Sequence, residues 1–163
     1  MRECEIKHTK GSGPGGQHRN KVQTAIQITH LPTSLVSSAS ESRSQQANLS
    51  NAQVRLRLRL ALKCRTTLDD EAGEESPPQP SALWTSRTKG GKISVNHNHA
   101  DFPSLLAEAL DVVWATRDVR MTSEQLGVST SQFVKFLAKA PAALAQVNAL
   151  RASTGLPALR ANK

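Results

Sequence analysis

Ser12-Gly13-Pro14-Gly15-Gly16-Gln17-His18-Arg19-Asn20-Lys21 is the stretch on which the reading of this chain turns. Glycine and proline fill positions 13–16, and such a run neither opens a helix nor continues a strand. Glycine has no Cβ and admits positive φ, while Pro14 holds its own φ between two of the glycines. The pattern predicts a projecting loop whose bare backbone N–H groups approach another molecule closely, with the Gln17 amide at its tip. A loop of this kind suits chemistry done by backbone donors and one oriented amide, without a titrating side chain.

Short strands are predicted on both sides. Residues 4–8 alternate polar and apolar. Residues 25–30 alternate again, with Ala25, Gln27 and Thr29 on one face and Ile26, Ile28 and His30 on the other. Leu31-Pro32-Thr33-Ser34 reads as a turn, and residues 35–39 as a third strand. Residues 44–63 are ambiguous. Arg55-Leu56-Arg57-Leu58-Arg59-Leu60 alternates as a strand does, yet the segment is rich in Gln, Asn, Ala, Leu, Arg and Lys and poor in β-branched residues. Ser44 or Ser50 can cap a helix there, and Ser50 with Gln53 has capping-box spacing.

The loop string is accompanied by Ala25, Ile28 and His30-Leu31-Pro32-Thr33, then by Arg43-Ser44-Gln45 and Asn48. At these spacings the chain resembles, over about residues 3–63, the catalytic domain of class I peptide-chain release factors and their codon-independent ribosome-rescue relatives. The resemblance implies an α+β fold with short strands packed on one long helix. It decides residues 44–63 for a helix, with Arg55 and Arg59 one turn apart on an exposed basic face. It also implies the reaction, hydrolysis of the ester joining a nascent peptide to the terminal ribose of tRNA. An oxyanion grows on the ester carbonyl, and a backbone N–H aimed at it serves without titrating. The resemblance assigns that donor to Gln17, with Gly15 and Gly16 setting the backbone angles. Ser12, Gly13 and Pro14 are then loop scaffold, and His18, Arg19, Asn20, Lys21, Arg43, Arg55 and Arg59 are contacts to ribosomal RNA or tRNA.

Composition agrees with a polyanionic partner. The net charge of +8 is uneven: residues 1–67 carry +8, residues 68–83 carry −5 and residues 84–163 carry +5. Aromatic residues are scarce, so the core must come from Leu, Val, Ile and Ala. The only cysteines are Cys4 and Cys64; with no signal peptide and no apolar run long enough to span a membrane, a reduced cytoplasm is the expected setting. Neither Cys4 with His8 nor His97 with His99 completes a metal set, and no metal or cofactor is expected.

Residues 69–83 are acidic and proline-rich without an apolar period, and read as a linker. They divide the chain into a release-factor-like domain over 1–68 and a helical module over 84–163, expected to be all-α. In that module Phe102, Leu105, Leu106, Ala109, Leu110, Val113 and Trp114 keep helical spacing, with Asp101 and Pro103 as start signals. Within 121–139, Thr122 with Gln125 and Ser129 with Gln132 have capping-box spacing on either side of Gly127. Two short helices with Leu126, Val128, Phe133 and Leu137 inward resemble a helix-turn-helix unit. A last helix is expected after Pro141, ending near Gly155. Gln132, Lys135 and Lys139 are candidate nucleic-acid contacts on the second helix.

The chain departs from stop-codon-reading factors in having eleven residues before Ser12 and neither a Pro-x-Thr nor a Ser-Pro-Phe tripeptide. It departs from rescue factors in ending on an Ala/Leu-rich segment rather than a Lys/Arg-rich tail. Two readings follow. One is a peptidyl-tRNA hydrolase acting only within the ribosomal peptidyl transferase centre, without decoding a codon and monomeric off the ribosome. The other is a non-catalytic RNA-, DNA- or ribosome-binding regulator that uses the helical module.

Overall fold

The computed structural model describes residues 3–10, 23–64 and 79–161. The chain forms two compact units, Met1–Leu60 and Ala61–Lys163.

The first unit holds a three-stranded antiparallel sheet of β1 (Cys4–Thr9), β2 (Ala25–His30) and β3 (Leu35–Ala39), in the order β1-β2-β3. Cys4 lies opposite His30 and Thr9 opposite Ala25; on the other side of β2, Ile26 faces Ala39 and His30 faces Leu35. The stretch between Thr9 and Ala25 therefore leaves and re-enters the sheet at one end of a paired hairpin. At the opposite end the predicted turn forms. His30 Nδ1 meets Thr33 Oγ1 at 2.8 Å, the Leu35 N–H donates to the same oxygen at 3.4 Å, and Ser34 adopts φ 55°.

Residues 45–63 are a helix, α1 (Gln45–Lys63). Ser44 caps it, its Oγ accepting from the Ala47 N–H at 3.3 Å, while Ser50 lies inside the helix. The Arg-Leu alternation is thus not a strand pattern. Leu56 shares the inner face with Ala52 and packs with Ile26, Ile28 and Ala39, bordered by Cys4, Leu35, Leu49 and Leu60. Ile26, Ile28 and Ala52 are essentially removed from water, which makes this small apolar contact the main reason the helix lies on the sheet.

The second unit contains α2 (Ala82–Arg87), β4 (Thr88–Lys89), β5 (Lys92–Ile93), α3 (Phe102–Thr116), α4 (Val119–Gln125), α5 (Thr130–Ala138) and α6 (Pro141–Ser153). The fold class is α+β, but residues 84–163 are not all-α. Gly90 and Gly91, at φ 56° and 72°, allow the left-handed turn that closes the β4–β5 hairpin. The expected linker also ends early, because Ser81 Oγ accepts from the Trp84 N–H at 3.0 Å and starts α2 at Ala82. Of that linker, residues 69–78 lie outside the described residues.

The core of this unit is built around Trp84, Phe102, Phe133, Phe136, Leu105, Leu106, Leu110 and Leu137. Phe136 meets the rings of Trp84 and Phe102 edge-on at 5.5 and 5.4 Å. Gly127 (φ 64°) separates α4 from α5, and Leu126, Val128, Phe133 and Leu137 are buried as expected. Ser129 Oγ accepts from the Gln132 N–H at 3.4 Å. Thr122 does not cap α4. Asp118 does, accepting from the Met121 N–H at 2.7 Å, and Thr122 is buried one turn inside with its hydroxyl donating to the Asp118 carbonyl at 2.7 Å. The apolar period of α4 begins at buried Val119, three residues before Thr122, so the start signal had to lie earlier. Asp101 occupies the N-cap position of α3 without capping it; its carboxylate instead receives Arg87 Nε at 3.0 Å. No described helix is long and apolar enough to cross a membrane.

Candidate functional site

The Gly-Gly-Gln stretch is inserted between β1 and β2, so the site is built from the chain on either side of it. Ser12, Gly13, Pro14, Gly15, Gly16, Gln17, His18, Arg19, Asn20 and Lys21 themselves lie outside the described residues. Their flanks are described, and both are tied to the first turn of α1. Gln45 Nε2 lies 2.7 Å from His8 Nδ1 on the outgoing strand and donates to the Gln23 carbonyl at 3.2 Å on the returning side. One turn later, Asn48 is completely buried. Its Nδ2 donates to Thr24 O at 2.7 Å and to Ser42 O at 2.9 Å, and its Oδ1 accepts from the Ser42 N–H at 2.9 Å. Gln45 and Asn48 thus anchor the residues on both sides of the insertion. Sequence reading places them in a motif, but not opposite His8, Gln23 and Thr24, which lie 22 to 37 residues away.

The arginines divide into two groups. Arg43 is exposed and has no hydrogen-bond or ion-pair partner among the described residues. Arg55 and Arg59 are exposed but engaged: Arg55 Nη1 donates to Ser38 O at 2.7 Å, Arg55 Nη2 pairs with Glu41, and Arg59 Nη1 donates to Val36 O. Their guanidinium groups cover carbonyls of the edge strand β3, a position where unpaired backbone invites pairing with another chain. Arg55 and Arg59 thus lie on an exposed face as expected, with their guanidinium groups drawn toward β3. The Glu41 carboxyl is held below its ordinary range, chiefly by its own backbone N–H, with the Ser40 N–H and Arg55 adding to the effect against a desolvation penalty. Arg57 lies on the other flank of α1, where it lines an open groove of about 550 Å³ with Glu3, Cys4, His30 and Gln53.

In the second unit Lys135 is exposed on α5 and Gln132 is half-buried. Lys139 is not a free cation, since its Nζ donates to Val95 O at 2.5 Å. A cation that sequence reading missed takes its place. Arg160, beyond α6, joins Lys135, Thr130 and Ser131 around a groove of about 250 Å³. No periodicity signals Arg160, because it follows the last helix. Among the described residues no cluster of His, Cys, Asp and Glu has the makings of a metal site.

Comparison with known proteins bears on the same residues. The family model described as the RF-1 domain matches residues 1–99, running beyond residue 68 into the second unit. The chloroplastic peptide chain release factor PrfB1 of Arabidopsis thaliana is 30% identical over 118 residues, which are 67% of this chain and 26% of that protein. Peptide chain release factor 1 of Leptospira biflexa serovar Patoc is 34% identical over 109 residues, 63% of this chain and 29% of the relative. Peptide chain release factor 1 of Acidiphilium cryptum is 51% identical over 51 residues, 31% of this chain and 14% of the relative. The chain thus spans less than a third of the length of each of these relatives. A match over residues 1–99 takes in the Gly-Gly-Gln stretch, both of its flanks and the Gln45/Asn48 anchors, and by it the chain belongs to the class I peptide chain release factor family.

Proposed function

We propose that this protein promotes hydrolysis of the peptidyl-tRNA ester in the ribosomal peptidyl transferase centre without reading a stop codon. The observation that carries the reading is the string Gly15-Gly16-Gln17, inserted between two chain segments that Gln45 and Asn48 hold to one helix. In this mechanism water attacks the ester carbonyl, and the Gln17 N–H donates to the oxygen on which charge grows. Its side-chain amide shapes the pocket that admits the water. A fixed backbone donor stabilises the transition state more than the ground state, which is the requirement for catalysis. Arg19, Asn20, Lys21 and Arg43 contact rRNA phosphates and sugars beside the reacting ester, while Arg55 and Arg59 serve first to cover β3.

The test is peptide release from purified ribosomes carrying peptidyl-tRNA on truncated, stop-codon and sense-codon templates. Release on truncated mRNA that Gly16→Ala abolishes is the expected result. Release confined to stop codons would overturn codon independence, and none on any template would overturn the catalytic reading.

A second reading has one observation in its favour. Lys135 and Arg160 face a common groove with the hydroxyl-bearing Thr130 and Ser131, an arrangement that suits a nucleic-acid phosphate. In that reading the second unit binds RNA or DNA and the protein regulates without hydrolysis. Salt-dependent binding that Lys135→Ala and Arg160→Ala weaken together, with no release on any template, would favour it.

A further inference from the structure

We propose that Gln45, acting with His8, is a positioning residue for the Gly15-Gly16-Gln17 chemistry. Its amide locks together the two chain segments that enter and leave that stretch. The inference rests on the release reading above and extends it to a pair outside the Gly-Gly-Gln string.

A primary amide has two N–H bonds, and here both have acceptors: His8 Nδ1 at 2.7 Å and the Gln23 carbonyl at 3.2 Å. The arrangement requires an imidazole whose Nδ1 carries no proton, so that it accepts while Nε2 holds the ring hydrogen. It also fixes the amide orientation, because turning the amide over would set its oxygen against the Gln23 carbonyl oxygen. Only a forked neutral donor of this length satisfies both partners. A carboxylate at position 45 would set an oxygen against the Gln23 carbonyl, which can only accept.

The placement gives the pair its role. His8 is the next-to-last residue of β1, in register with Ile26, and Gln23 lies two residues before β2. Asn48 anchors Thr24 from the next turn of the same helix. The base of the insertion is thus held by α1, an element itself fixed to the sheet by the Ala52 and Leu56 contacts. The clamp acts through the two segments that carry the Gly15-Gly16-Gln17 stretch, the route by which a remote contact bears on placed backbone donors. His8 and Gln45 are both exposed, so their bond adds little to global stability, and its loss should appear in release before it appears in unfolding.

The experiment compares the full-length protein with Gln45→Ala, Gln45→Glu, His8→Ala and the double variant His8→Ala/Gln45→Ala. Single-turnover peptide release, ribosome affinity and backbone hydrogen exchange would each be measured. We expect the release rate of Gln45→Ala to fall about five- to tenfold, the scale of one or two hydrogen bonds. Ribosome affinity should stay within about twofold. Gln45→Glu should be no better than Gln45→Ala, and the double variant no worse than the weaker single one, as expected for one shared interaction. Exchange should quicken severalfold at residues 7–9 and 24–26, with the unfolding midpoint nearly unchanged. An active parent with an equally active Gln45→Ala overturns the proposal, as do additive losses or losses that merely track unfolding. A parent that releases nothing overturns the release reading, and hydrogen exchange then decides the clamp alone: faster exchange upholds it and unchanged exchange overturns it.

Discussion

Asn48 grips Ser42 from both sides of one peptide plane pair, accepting from its N–H and donating to its carbonyl, each at 2.9 Å. The same amide reaches Thr24 O at 2.7 Å, so a single buried side chain joins the start of α1, the segment before it and the approach to β2. Removing it would leave three half-buried backbone groups without their protein partner. Asn48→Ala is expected to destabilise the first unit by about 2–4 kcal/mol, from penalties of about 1–3 kcal/mol for each orphaned group, partly relieved by relaxation. Both tryptophans lie in the second unit. The loss should therefore be read by far-UV circular dichroism or hydrogen exchange, and an unchanged first unit would refute it.

Trp84 plays a comparable part in the second unit. It is fully buried, and its Nε1 donates to the Leu126 carbonyl at 2.7 Å, just before the turn into α5. Trp84→Phe removes this donor and leaves a gap beside Phe136. A loss of about 2–4 kcal/mol is expected, combining an unpaired carbonyl with a cavity. Denaturant unfolding followed through Trp114 fluorescence measures it, and a loss under about 1 kcal/mol would show that the bond is dispensable.

Arg117 ends α3 in the left-handed region at φ 55°, with its N–H bonded to Val113 O at 2.9 Å. Glycine adopts this conformation without the Cβ clash, though it is more flexible when unfolded. Arg117→Gly should stabilise by about 0.5–1 kcal/mol. A rise of a few degrees in Tm is the expected reading, and a fall would mean that the arginine makes a contact worth more than the strain.

Glu41 ties stability to pH. Its carboxyl is held below the ordinary range by its own N–H first, then by the Ser40 N–H and Arg55. A lowered folded-state value means that the stabilisation is complete above the unfolded carboxylate range and disappears as pH falls through the folded value. Stability of Glu41→Gln should therefore decline less than that of the parent on the acid side, and the two should run parallel near neutrality. The difference is small because the pair is exposed. Parallel curves throughout the acid limb would exclude the contribution.

Arg59 and Arg55 cover the outer strand of a small sheet. Replacing both with alanine removes the donors to Val36 O and Ser38 O and opens the β3 edge. The double variant should remain folded but associate at concentrations where the parent does not, as light scattering would show. A double variant as monodisperse as the parent would mean that the edge needs no cover.

Local patterns were legible wherever neighbours in sequence are neighbours in space. The strands at 25–30 and 35–39, the turn at 31–34, Gly127 between two helices and the last helix after Pro141 all rest on contacts within a few residues. Residues 44–63 were not legible from periodicity alone. Leucines at every second position satisfy a strand as well as a helix, and only the sheet they pack against, or a resemblance, separates the two. Thr122 misled because a threonine fits equally well at a cap and one turn inside a helix, where its hydroxyl bonds back to a carbonyl.

By itself the sequence determined the family, the residues proposed for chemistry and the strands and long helix of the first unit, because these depend on residue identity, short spacing and the resemblance they carry. Tertiary structure decided which polar side chains remain free. It committed Lys139 to Val95, Arg55 and Arg59 to β3, and Gln45 and Asn48 to the flanks of the Gly-Gly-Gln stretch. It also brought Arg160 beside Lys135. Such pairings join residues tens of positions apart, and they exist only once burial of the apolar faces has set where each backbone carbonyl lies.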